Sequence, residues 1–359
     1  AIYYFKESLK INNNRSVVFY NLGSINEVEG NYEEAILFLN KAISIDPKEY
    51  DSIHALSLCQ LSMQNYKNGL KNYEFRWLTR NSTKKRYQNI ASLDSIHSIT
   101  GKKILVWYEQ GLGDTIQFSR YVNLLIKLGA QVTFEVQKPL IAFLKRQFNC
   151  EITGDASKNN FDFQCPLMSL PYLFDIEAND ILSLNQYFKS DNEKVSLWRN
   201  ILSLSKDKKN IGIAISGNVN QINENRRKID LKHFLPLTKY FRLFIIQKDI
   251  YEDDKKILKK TNDIVYLGNN SQWYDFEDTS AIVQNMDLVV SIDTSLIHLA
   301  GSMNKKTYLL LSKAADWRWS SEDFNTPQWY ENMITIRQKK RNNWEDVILK
   351  LQSELNYSL

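Results

Sequence analysis

The sequence predicts an α + α/β chain, with helical hairpins at the front and a unit of two α/β halves behind them. Three observations carry that expectation. A spacing of 34 residues relates apolar and small residues across the first 78 positions. From Gly101 onward, short continuous apolar runs alternate with helical patterns. Polar residues gather just after those runs, where open α/β sheets bind ligands.

The bulk numbers suit this plan. A chain of 359 residues is long enough for two or three domains. Its 43% hydrophobic and 24% charged residues are ordinary for a soluble globular protein. The net charge of +5 comes from 46 basic and 41 acidic side chains spread along the chain. The clusters Lys84–Arg86, Arg226–Lys228 and Lys339–Arg341 are short, so no nucleic-acid partner is expected. Cys59, Cys150 and Cys165 form no CxxC pair, and a sparse, odd count fits a reducing, cytoplasmic compartment. The apolar runs are strand length, so no transmembrane segment is expected, and the first residues do not resemble a signal peptide.

Residues 16–49 hold Phe19, Leu22, Gly23, Gly30, Tyr32, Ala35, Leu39, Ala42 and Pro47. Gly23 and Ala35 would let two antiparallel helices approach closely, Gly30-Asn31 would turn the chain, and Asp46-Pro47 would stop the second helix. This spacing resembles the tetratricopeptide repeat. Ile53, Leu56, Ser57, Tyr66, Gly69 and Tyr73 lie 34 residues after Phe19, Leu22, Gly23, Tyr32, Ala35 and Leu39. Ala1, Phe5, Ser8 and Asn13 lie 34 before Ala35, Leu39, Ala42 and Pro47, so the chain is expected to begin inside a repeat. A plain amphipathic bundle would not repeat in this way. Such arrays present a groove to extended peptides, which implies a protein partner. The heavy end Tyr73–Trp77 suits a last repeat packed on another domain.

Residues 79–100 break the helical period and read as a polar linker, with His97 in a loop. Ile104–Tyr108 then reads as a buried strand, Glu109–Thr115 as a glycine turn, about 115–128 as a helix, and Gln131–Val136 as a second strand. A βαβ unit of this kind places a ligand at the turn, making Gln110, Gly111 and Gly113 a candidate cleft loop. A dinucleotide site matches poorly. Ile116 replaces the third glycine of GxGxxG, and Asp114 would repel a pyrophosphate, although Glu135 sits where a ribose acid would. Asp114 suits either proton abstraction from a hydroxyl or helix capping, and spacing alone leaves both readings open.

A second Rossmann-like series starts near residue 210. Strands are expected at Ile211–Ser216, Arg242–Gln247, Ile264–Leu267, Asp287–Asp293 and Lys306–Leu311, the last closing the series. Helices are expected at Leu231–Lys239, Glu252–Lys260, Asp278–Asn285 and about Ser295–Ser302. The strand ends carry Ser216, Gly217 and Asn218, then Gln247 and Lys248, then Asp293, Thr294 and Ser295. Arg227 and Lys228 end the first of these loops. A helix N-terminus at Ser295 is an anion site, and His298, one turn inside it, should stay neutral beside the helix dipole. A buried structural histidine behind an ordinary cap is the plainer alternative.

Three segments together, Glu109–Tyr121, Asp293–Gly301 and Asp316–Trp319, resemble the heptosyltransferase-like glycosyltransferases (glycosyltransferase family 9-like) that carry N-terminal tetratricopeptide repeats. Trp329-Tyr330, Ile336–Gln338 and Asn343-Trp344 also fit. That resemblance implies a GT-B fold, with an acceptor half and a nucleotide-sugar half facing across a cleft. The expected organisation is repeats over 1–78, linker 79–100, acceptor domain 101–204, nucleotide-sugar domain 205–340 and a C-terminal helix 341–359. Asp114 matches the family's proposed base. Asp293, Thr294, Ser295 and His298 match its donor motif, and Arg227 falls near the donor phosphates. The loop 218–225 lacks the proline and histidine expected after Gly217-Asn218.

The activity implied is sugar transfer from a nucleotide-sugar to an acceptor hydroxyl of a protein or glycan, inverting, with no metal and no cofactor besides the donor. The repeats would recruit a protein acceptor. The competing expectation is a repeat scaffold carrying a degenerate, non-catalytic α/β unit.

Overall fold

The computed structural model describes residues 2–12, 14–157, 160–177, 180–181, 186–217, 227–320 and 329–355. The front of the chain is helical: α1 (Ile2–Ile11), α2 (Ser16–Glu29), α3 (Tyr32–Ile45), α4 (Tyr50–Ser62) and α5 (Tyr66–Tyr73), followed by a 3-10 turn, Glu74–Leu78. Gly30, at φ +83°, ends α2, and the Gly30 and Asn31 N–H groups close on the Glu27 and Asn26 carbonyls. A Cβ on Gly23 would lie 2.6 Å from Leu39 Cγ, so only glycine lets α2 and α3 pack this closely. Asn13 lies outside the described residues, as does Ala1.

The last hairpin is built into the rest of the molecule. Leu61, Tyr66, Leu70 and Tyr73 share one continuous core with Phe118 and Tyr121 of the first α/β half and Trp317 and Trp329 of the second. Tyr66 meets Trp329 edge-on with ring centroids 6.1 Å apart. Gln64 Nε2 donates to Ser320 Oγ at 3.2 Å, and Arg341 pairs with Glu29 at 3.0 Å. The repeats therefore touch both halves.

The first sheet holds β1 (Lys103–Trp107), β2 (Gln131–Glu135), β3 (Glu151–Thr153) and β4 (Phe163–Pro166), all parallel in the order β3-β2-β1-β4. The segment 79–100 is a strap laid on this sheet. Leu93 and Ile99 are buried, Ser92 bridges to Gln164, and His97 is exposed. Glu135 has no ribose to meet, because Arg86 Nη1 (3.0 Å) and the Tyr87 hydroxyl (2.8 Å) from this strap donate to its carboxylate.

The single helix expected over 115–128 is instead α6 (Leu112–Phe118) and α7 (Val122–Lys127), joined by a 3-10 turn at Ser119–Tyr121. It starts earlier because the Asp114 carboxylate accepts the Gly111 N–H at 2.8 Å. It breaks where Ser119 Oγ and Arg120 Nε donate to the Ile116 and Gln117 carbonyls, side chains engaging the helix's own acceptors. The half continues with α8 (Ile141–Gln147), α9 (Leu170–Leu173) and α10 (Asn192–Ile201).

The second sheet holds β5 (Lys209–Ala214), β6 (Phe241–Ile245), β7 (Ile264–Tyr266), β8 (Leu288–Ile292), β9 (Thr307–Leu311) and β10 (Met333–Arg337). All strands are parallel, in the order β10-β9-β8-β5-β6-β7. This is the doubly wound order, reversing between β5 and β8. The series does not close at Leu311, since β10 adds an edge strand. Its alternation of buried and exposed residues gave no continuous apolar run.

Helices α11 (Glu252–Leu258), α12 (Phe276–Asn285), α13 (Ser295–Ser302) and α14 (Glu345–Glu354) cover the second sheet. The stretch Leu231–Lys239 is 3-10 rather than α, with Pro236 removing a donor. On the α12 side, α10 is held through Asp278, which accepts from Trp198 Nε1 (3.1 Å) and Lys194 Nζ (2.7 Å). Among the described residues, no helix is long and apolar enough to cross a membrane.

Candidate functional site

The first sheet reverses between β1 and β4 and the second between β5 and β8. Ligands bind at such reversals, beyond the carboxyl ends of the strands. Loops from both strand ends line one cleft of ≈ 730 Å³, within the span of about 300–1,000 Å³ usual for ligand sites. The first turns of α6 and α13 meet in its wall. A Cβ on Gly113 would lie 2.7 Å from His298 Cδ2 and 3.5 Å from Ser295 Cα. Glycine at 113 is what allows the two halves to close here.

Asp114 takes the capping role that its spacing allowed, and its second oxygen meets a cation. Its Oδ2 caps α6 through Gly111, and its Oδ1 accepts from Arg318 Nη2 at 2.6 Å. Burial pushes its carboxyl above the usual range, more than the Arg318 charge pulls it down. It is therefore more basic than an ordinary carboxylate while lining the cleft.

Arg318 comes from the second half, after β9, yet it organises the first. Its Nε donates to Gln117 Oε1 at 2.9 Å and its Nη1 to Asp316 Oδ1 at 2.7 Å. Its guanidinium lies 4.6 Å from the Trp317 ring centre.

His298 is 4% exposed. Its Nδ1 lies 2.9 Å from the Tyr330 hydroxyl, and its ring stacks on Trp319 with centroids 5.3 Å apart. Burial, with the charges of Arg318 and Arg120, drives its pKa well below the usual value, so the imidazole is neutral. Its Nε2 sits 3.8 Å from Asp293 Oδ1. Burial and the neighbouring Asp316 push the Asp293 carboxyl up to about 6, against the pull of Trp319, Arg318 and Arg227.

Thr294 occupies the cap position of α13, but its hydroxyl makes no cap bond to the helix. It lies 3.3 Å from Ser291 Oγ instead. The first-turn N–H groups of α13, at Ser295 and beyond, thus face the cleft without a side-chain cap from Thr294.

On the β5 side, Ser216 and Gly217 line the cleft. Gln247 builds the wall: its Oε1 accepts the Ile215 N–H at 2.7 Å, and its Nε2 donates to Ser216 Oγ at 2.7 Å and to the Asp249 carbonyl at 2.7 Å. Arg227 Nη1 donates to the Asp293 carbonyl at 2.9 Å and borders the same space.

Lys228 does not join them. Its ammonium pairs with Asp230 at 3.2 Å and lies over the Tyr251 ring at 4.0 Å. Asn218 lies outside the described residues. Gln110, Gly111 and Gly113 line the cleft as a group.

Sequence reasoning missed one cation and noted another only as a strand-end residue. Arg318 lay inside the Asp316–Trp319 segment but was not read as a site residue. Lys248 follows β6, donates to the Trp273 carbonyl and lies 4.2 Å from that ring's centre. Burial lowers its pKa. Its place just beyond the end of β6 is the signal that marked it in the sequence. Among the described residues, no group of three or more His, Cys, Asp or Glu side chains could hold a metal ion.

Comparison with known proteins places both parts of the chain. Residues 17–49 match the tetratricopeptide repeat family model. No curated protein matches the sequence. The structure is similar to Escherichia coli ADP-heptose lipopolysaccharide heptosyltransferase II at TM-score 0.53 and 15% identity, covering 71% of this chain and 97% of that one. It is also similar to a family 9 glycosyl transferase from Veillonella parvula at TM-score 0.51 and 11% identity, covering 73% and 91%. The chain thus joins tetratricopeptide hairpins to the GT-B fold of heptosyltransferase-like proteins.

Proposed function

We propose that this protein is a glycosyltransferase moving a sugar from a nucleotide-sugar donor to an acceptor hydroxyl, inverting and without a metal. One observation carries the reading: a half-buried carboxylate of raised basicity, Asp114, lines the same cleft as a helix N-terminus without a cap bond from Thr294 and a neutral histidine. The two neighbouring folds, a heptosyltransferase and a family 9 glycosyl transferase, support the same reading.

The chemistry follows from that placement. The acceptor hydroxyl gives its proton to Asp114 Oδ1, which must exchange its Arg318 partner for the substrate. The acceptor oxygen forms a bond to the anomeric carbon while the bond from that carbon to the diphosphate oxygen breaks. A single displacement inverts the configuration. Negative charge grows on the leaving diphosphate, where the α13 N-terminus, Arg227 and Lys248 stabilise it. Neutral His298 holds a polar contact without adding a charge that would pair with Asp293.

The repeats bring in the acceptor, which we take to be a protein segment laid along the hairpins. The test is incubation of the full chain with UDP-, ADP- and GDP-sugars and its co-purifying proteins. Supporting results are thermal stabilisation by one donor class and one hexose or heptose mass increment on a partner. Transfer unaffected by EDTA supports the metal-free route, and its loss on chelation removes that part. No stabilisation by any donor favours the scaffold instead.

A further inference from the structure

The last helical hairpin reaches into the cleft wall. Arg76, in the 3-10 turn after α5, is 7% exposed and uses every guanidinium donor on protein atoms. Its Nε and Nη2 grip the two carboxylate oxygens of Glu109 at 2.8 and 3.1 Å. Nη2 also donates to Ser169 Oγ at 2.8 Å, and Nη1 donates to Glu74 Oε1 at 2.7 Å and the Tyr73 carbonyl at 3.1 Å. The Glu109 side chain is 2% exposed, and it also accepts the Met168 N–H at 2.8 Å.

The next residue is held from the same hairpin. Gln110 Nε2 donates to the Tyr73 hydroxyl at 3.1 Å, and the Gln110 carbonyl accepts from Gln137 Nε2 at 2.9 Å. Gly111 follows, with its N–H on Asp114. Consecutive residues of one turn are thus gripped by the repeat unit immediately before the turn delivers the Asp114 carboxylate. A carboxylate as buried as Glu109 needs a forked, charged partner to stay ionised there. Within the described residues, Arg76 is the cation that supplies one.

We propose that Tyr73 and Arg76 of the repeat unit are positioning residues for the cleft, holding the Glu109–Asp114 turn and with it the Asp114 carboxylate. The proposal rests on the glycosyltransferase reading only for what that turn then does. The repeats are by this account part of the reaction machinery as well as a partner-binding arm. Arg76 and Tyr73 stand behind the residues that line the cleft. They act through Glu109 and Gln110.

The experiment compares the full chain with Arg76→Lys and Tyr73→Phe by hydrogen exchange. Arg76→Lys keeps the charge and loses the fork, and Tyr73→Phe removes one hydroxyl. The expected result is about tenfold or more faster exchange over Glu109–Thr115 in both variants, with β1 and β8 unchanged. Unchanged exchange in the turn overturns the proposal. So does equal acceleration in β1 and β8, which would make these residues supports of the whole fold.

A second readout is nucleoside diphosphate release from the donor that stabilises the wild type. A kcat about tenfold lower with donor KM within about twofold fits displacement of the base. Unchanged kcat, or a matching rise in KM, counts against it. If the wild type releases diphosphate from no donor, the glycosyltransferase reading fails, and the exchange result still decides whether Tyr73 and Arg76 hold the turn.

Discussion

Asp114, Asp293 and Arg318 set the electrostatics of the cleft, and each has a measurable consequence. Asp114 must be ionised to accept a proton, and burial raises its pKa. Activity is therefore complete above that raised value and is lost as pH falls through it. The acid limb of kcat/KM should lie above the ordinary carboxylate range of about 4. Arg318→Gln removes the charge that opposes this rise, so the limb should move to higher pH, measured with the same donor.

Asp293 carries the opposite lesson about stability. Its folded pKa is raised to about 6, so the folded state binds more protons than the unfolded one between roughly pH 4 and 6. Its contribution to stability is fully present below that window and lost as pH rises through it. Asp293→Asn should then raise the stability at pH 7 by ~1–3 kcal/mol while slowing transfer, read by thermal melting at pH 5 and 7. The gain should shrink at pH 5.

Asp114, Asp293 and His298 were legible because each stands beside a glycine turn or a helix start. Arg318 was not, because its role depends on an arm crossing from one half to the other.

At the scale of elements, the junction of α6 with α13 decides whether the cleft closes. Both helices present their first turns to it, and Gly113 lies against His298. Gly113→Ala should cost about 1–3 kcal/mol, since the added methyl meets a packed ring stacked on Trp319. Thermal melting measures it, and diphosphate release should fall as well.

Helix α13 was readable to the residue, because Asp293-Thr294-Ser295 marks a strand end and a helix start together. The start of α6 was not, because a capping carboxylate at the third helical position looks from sequence like a residue before the helix. Strand β10 was missed for a related reason. An edge strand needs only one apolar face, so its pattern lacks the continuous run that marked the others.

For the whole molecule, the last hairpin and both α/β halves share one core, and this sets the limit on taking them apart. Removing residues 1–78 would uncover the apolar residues packed against Tyr66 and Tyr73 and leave Glu109 buried without Arg76. Breaking such a pair alone costs ~3–5 kcal/mol. The truncated chain is expected to be aggregated or to melt well below the full one in a calorimeter. A truncated chain as stable as the whole would contradict the shared core.

The order of domains was legible from periodicity, because the 34-residue spacing and the strand–helix alternation are local patterns. That the repeats grip the cleft was not, because Arg76, Glu109 and Ser169 come together only in three dimensions.

The central claim is that Asp114 is a base facing a donor site across one cleft. Asp114→Asn keeps the shape and an oxygen for the Gly111 N–H but cannot take a proton. Diphosphate release and acceptor modification should fall by about 10²–10⁴-fold, while calorimetric titration shows donor binding within about twofold of wild type. Transfer persisting near the wild-type rate would contradict the claim and leave Asp114 as the cap of α6 alone.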